Sequence, residues 1–266
     1  MLSPKSQQLI HDYLNLPFSG ISGVRCPYFN NARLHQRGQL RVLIGKGTPK
    51  EIVEEAKVIS TQYHAGIFDK TGNCCIHNEH TGTPVTNENI RKFLIDNNLG
   101  VDCSGFVSQV LRVHFKETKK IDFVKKLYII SPKNILRWLI SKLRPIESIS
   151  VNTYANNVNT TVITDITQIE PGDLIAMLET GPQNKRNHIL LITNNDGRTI
   201  NYVHSRAWSS EGNCGHGVAE GKIIISNPDK NILEQEWIEK DCAGDKNETY
   251  VEAKNARLLE IRRLKI

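Results

Sequence analysis

Three residues of this chain are of types that together can make and break an acyl bond: Cys103, His188 and His204. A thiol attacks only as its thiolate, so it needs a base to take its proton and a further group to orient that base. Cys103 stands in the run GVDCSGFVSQVL (100–111), where loop gives way to apolar helix. Gly100 ends the preceding segment, Asp102 is a competent capping residue, and Phe106, Val107, Val110 and Leu111 recur at helical spacing. Cys103 is therefore expected in the first helical turn, where the positive end of the macrodipole favours an anion. Such a setting brings a thiol pKa from roughly 8.5 toward neutrality. Ser104 is a poor nucleophile beside it, because it lacks the strand-to-helix elbow that exposes a catalytic serine.

His188 opens the apolar strand HILLIT (188–193), and His204 lies near the end of INYVHS (200–205). The turn signal Asn194-Asn195-Asp196-Gly197 falls between them. In a hairpin the start of one strand lies beside the end of its partner, so the two imidazoles are predicted to be neighbours. With the Cys103 helix packed across that end of a sheet, His188 can serve as base and His204 can hold its tautomer.

The elements that must do this positioning are legible on either side. Ser3-Pro4 opens a helix to about Leu14, and Thr48-Pro49-Lys50-Glu51 is a capping box launching a helix to about Tyr63. Thr86 caps a helix ending near Asn98. Ser131-Pro132 opens another, with Ile135, Leu136, Leu139, Ile140 and Leu143 on one face and Pro145 as its stop. After Pro171-Gly172 the pattern turns to short β-rich runs: LIAML (174–178), HILLIT, INYVHS, KIIIS (222–226) and RLLEIRRL (257–264). Helices followed by hairpin-linked strands give an α+β fold with an antiparallel sheet. The simplest organisation is one hydrolase domain over 1–266, its core at about 100–113 and 169–266, with helical elaborations at about 30–97 and 115–150.

Composition narrows the classes. The 266 residues carry a formal charge of +6, spread along the chain. The dense basic stretches, Lys116–Lys126 and Arg257–Lys265, are not interleaved with stacking aromatics, so no nucleic-acid partner is expected. No run approaches the ~18 apolar residues of a membrane span. The first residues lack a charged start followed by an apolar core, so the chain as encoded is expected in the cytoplasm, with non-classical export as the alternative. Its six cysteines are expected reduced. CCIHNEH (74–80) offers Cys74, Cys75, His77 and His80 to a zinc ion, but the spacing fits no common finger. A polar loop is the expectation there, with no metal and no cofactor.

DCSGF (102–106), PGDL (171–174), NHILLIT (187–193) and YVHS (202–205), in that order, resemble the NlpC-type peptidases of the papain-like superfamily. The resemblance implies that Cys103 attacks, His188 is the base and His204 orients it. It also implies a nucleophile helix packed on an antiparallel sheet, and bacterial cell-wall stem peptides as substrates. GVRCPYFNN (23–31) resembles the family's Gly-x-Pro-Tyr stretch, whose tyrosine, Tyr28 here, shapes the substrate pocket. Tyr28, Asp102 and Ser104 stand as the substrate-contacting candidates. Leu190 replaces a family glycine, and Tyr28 lies much farther upstream of the cysteine than the family keeps it. The activity expected is thiol-dependent cleavage of an amide bond in a peptide or muropeptide. The alternatives are a thiol-dependent amidase or acyltransferase acting on a small molecule, or a module that binds a peptide without cutting it.

Overall fold

The computed structural model describes residues 1–29, 40–129, 141 and 143–266. Helix starts follow the residues. Thr48 accepts the Glu51 backbone N–H on its hydroxyl, the Glu51 carboxylate accepts the Thr48 N–H in return, and Pro49 begins α2 (Pro49–Gln62). Thr86 and Asn89 make the same reciprocal pair at the head of α3 (Asn87–Asp96). The first helix, α1 (Pro4–Leu14), and the cysteine-bearing α4 (Cys103–Thr118) begin where the sequence predicts. The helix expected from Ser131-Pro132 falls almost wholly outside the described residues. Pro145, expected as its stop, also begins a short helical turn, Pro145–Ser148, where a missing N–H costs nothing.

The chain groups into two compact units. One comprises Met1–Ser6, Cys103–His204 and Ala219–Ile266; the other comprises Gln7–Asp102 and Ser205–Val218.

The second unit holds α2, α3 and the strand-like segment around Tyr28. Val101 donates its N–H to Pro27 and accepts from Phe29, so Tyr28 and Val101 form a parallel bridge. A Cβ on Gly100 would lie 2.4 Å from the Pro27 carbonyl oxygen, so this crossing admits only glycine. Arg25 and Arg91 donate to the carbonyls of Cys214, Gly215 and His216, which ties the returning segment 205–218 to this unit.

The first unit is built on an eight-stranded sheet: β1 (Thr160–Ile163), β2 (Leu174–Thr180), β3 (Arg186–Asn195), β4 (Thr199–Arg206), β5 (Gly217–Ile224), β6 (Glu236–Glu239), β7 (Cys242–Ala243) and β8 (Leu258–Leu264). Their spatial order is β1-β8-β2-β3-β4-β5-β6-β7. The pairs β1–β8, β2–β8, β2–β3, β3–β4, β5–β6 and β6–β7 are antiparallel, so the class is α+β. Ile175, Leu190, Ile192, Tyr202 and Trp237 join Ala253 of the last helix, α5 (Glu248–Asn255), in one buried cluster. The helix α4 packs on β3, with Phe106, Val107, Val110 and Leu111 fully buried as predicted. Among the described residues no helix is long and apolar enough to cross a membrane.

Candidate active site

Tyrosine, threonine, histidine and glutamate side chains meet at the β3–β4–β6 end of the first unit, and chain chemistry explains how each arrives. Asp196 accepts the N–H groups of Arg198 and Thr199, and Gly197 adopts a positive φ, which closes the β3–β4 hairpin tightly. Leu191 lies opposite Val203 in the resulting register. His188 is three residues from Leu191 and His204 one from Val203, so the pleat puts both side chains on one face. There His188 Nε2 meets His204 Nδ1 at 2.7 Å, with the rings edge-on at 5.0 Å between centroids. His188 is 5% exposed and His204 is fully buried.

Beyond His204 the network continues to a residue the sequence reading missed. Glu239, at the end of β6, is buried, and its Oε2 faces His204 Nε2 at 3.1 Å. The same oxygen accepts from the Tyr202 hydroxyl at 3.0 Å and from Thr249 Oγ1 at 2.9 Å. Three donors converging on one oxygen is the arrangement an ionised carboxylate takes. The signal was present in EWIEK (236–240), where Trp237 and Glu239 alternate onto the same face of a short strand. An acid at an inward position of a strand is rare unless paired.

Cys103 is the first residue of α4 and is 6% exposed. It therefore sits at the positive end of a 16-residue helix that packs on the strand bearing His188. Ser104 points its hydroxyl at the Ile149 carbonyl, 3.4 Å away, inside the first unit. Asp102 and Tyr28 belong to the second unit. Lys46 Nζ donates to Asp102 at 2.9 Å, and both side chains are largely buried. Tyr28 is half-buried, and its backbone is fixed beside Val101 despite the long stretch between them in sequence. The Asp of PGDL, Asp173, is buried and holds the Arg263 guanidinium through two bonds of 2.8 Å. It fastens β8 to the start of β2. Burial pushes the Cys26 thiol up to about 12 and the Cys74 thiol up to about 11. Among the described residues no group of three potential ligands could hold a metal ion, the CCIHNEH stretch included.

Residues 74–213, just over half of the chain, match the family model described as "Putative amidase domain". The chain belongs to this family. Searches among curated proteins and among solved structures give no match. The amidase-family span contains Cys103, His188 and His204, together with Asp102 and Ser104, and it leaves out Tyr28 and Glu239.

Proposed function

We propose that this amidase-family chain is a cysteine-nucleophile hydrolase with a papain-like, NlpC-type core that cuts an amide bond in a peptide of the cell-wall stem type. The observation that carries the reading is the 2.7 Å bond between His188 Nε2 and His204 Nδ1. It commits one nitrogen of His188 to an orienting partner and turns Nδ1, on the other side of the ring, to proton transfer. Cys103 supplies the thiol from the helix that packs on the His188 strand.

The steps follow from those roles. The Cys103 thiol gives its proton to His188 Nδ1, and the thiolate adds to the substrate carbonyl. The tetrahedral adduct collapses as His188 returns that proton to the departing amine, leaving a thioester on Cys103. Water, deprotonated by His188, attacks the thioester and releases the acid and the free thiol. His204 keeps the His188 ring in plane and in tautomer throughout. Asp102 and Ser104, on either side of the nucleophile, and Tyr28 contact the substrate in this reading. On this reading its substrates are short free muropeptides.

The test is digestion of purified muropeptides and of simple amides, with products read by mass spectrometry. Cys103→Ala is expected to abolish turnover, and His188→Ala to cost ~10²–10⁴-fold, more than His204→Ala does. Retention of a tenth of the activity by the alanine variant at 103 would place the nucleophile elsewhere.

A further inference from the structure

The path from His188 through His204 to Glu239 has only one consistent assignment of protons when both imidazoles are neutral. A carboxylate oxygen can only accept, so His204 must donate to Glu239 from Nε2. A neutral imidazole carries one N–H, so His204 Nδ1 is then an acceptor. The 2.7 Å contact there requires His188 to donate from Nε2. His188 is left with its lone pair on Nδ1. A buried acid on another strand thus decides which nitrogen of the base can take a proton.

We propose that Glu239 is a positioning residue for the thiol chemistry, setting the tautomers of His204 and His188 and holding the imidazolium that forms when Cys103 loses its proton. The proposal rests on the assignment of Cys103 and His188 given above. When the thiol proton moves to Nδ1, His188 keeps its Nε2–H and becomes a cation, and the sulfur keeps the electron pair. The Glu239 charge faces that cation across a single neutral ring, inside a buried cluster where charges are poorly screened. Tyr202 on β4 and Thr249 on α5 complete the hold on the carboxylate, so its position is fixed by two elements besides its own strand. A glutamate placed only to satisfy Tyr202 and Thr249 would have no need to face His204.

Because the natural substrate is not fixed, the test reads the thiol itself. Cys103 alkylation by iodoacetamide is followed at about pH 6.5 by peptide mass spectrometry in the wild type, Glu239→Gln and His188→Ala. Glu239→Gln keeps shape and volume. It is expected to slow alkylation roughly tenfold or more while the circular dichroism spectrum and melting temperature stay in place. Wild-type speed in a folded Glu239→Gln protein, with His188→Ala slowed, overturns the role of Glu239 and leaves the Cys103–His188 pair standing. Wild-type speed in His188→Ala overturns that pair, and the relay with it. Should the Gln variant not fold, ¹⁵N chemical shifts of the wild-type imidazoles decide. Protonated Nε2 and bare Nδ1 on His204 support the relay, and a proton on Nδ1 of neutral His204 overturns it.

Discussion

Asp102 and Cys103 are consecutive, so in the proposed mechanism a thiolate at 103 would form next to a carboxylate. Lys46 answers this, placing its ammonium 2.9 Å from the carboxylate with little solvent around either group. The pair does two things. It neutralises Asp102 where a bare carboxylate would oppose ionisation of the neighbouring thiol, and it pins the loop that leads into α4. Losing one partner of a buried pair costs far more than losing both, because the survivor stays desolvated and uncompensated. Lys46→Met is therefore expected to lower stability by about 3 kcal/mol. Lys46→Met with Asp102→Asn should recover more than half of that loss. Urea unfolding of the three proteins checks it, and a double variant as weak as the single one would show that the ion pair is not what holds this loop.

Element by element, the head of α1 is fastened to the second half of α4 by a bond that depends on protonation. The Ser3 N–H donates to His114 Nδ1 at 3.1 Å, while Ser6 Oγ reaches the Val110 carbonyl. Burial, aided by Lys119, holds His114 below its ordinary value of 6.5. A neutral ring in the folded chain and a chargeable one in the unfolded chain means the unfolded state binds more protons below about 6.5. Stability from this contact is thus complete above that pH and falls as the pH drops toward the folded value, levelling once both states are protonated. The urea midpoint should fall between about pH 7.5 and 5.5 in the wild type and fall less in His114→Gln. Equal slopes for the two proteins would remove His114 from the account. What was legible at this scale were elements whose signals are local. The capping box at Thr48, the cap at Thr86 and the Asn-Asn-Asp-Gly turn each lie within four residues, and they lead to the helices and the hairpin that the structure has. The run KIIIS was placed too late, since β5 begins at Gly217, where Val218 donates to Cys26 far away in sequence. The short strands β1, β6 and β7 and the helix α5 escaped for the same reason. The strands, at two to four residues, carry no periodicity, the eight-residue α5 is little more than two turns, and Glu239 acquires its meaning only when Thr249 and His204 come to it.

Taken whole, the chain passes between its two units four times, so neither unit is one continuous stretch. The 7–102 stretch depends on residues that return late: Ser205 Oγ donates to Val101 at 2.6 Å, Val218 to Cys26 at 3.1 Å, and Arg91 reaches the Cys214 and His216 carbonyls. Residues 7–102 expressed alone should therefore give a collapsed amide spectrum, and the same stretch joined through a flexible linker to 205–218 should give dispersed peaks. Dispersion in the shorter piece would mean that the late segment is a passenger.

The sheet, finally, stops at both sides on very short strands, four residues in β1 and two in β7. An open strand edge is a template on which a second chain can lay down its own backbone, and the hazard grows with the number of exposed rungs. Here each rim offers only a few, and the Lys240-Asp241 turn with its two positive φ angles bends the chain between β6 and β7. Among the described residues, the rims of this wide sheet give fibril growth little on which to begin.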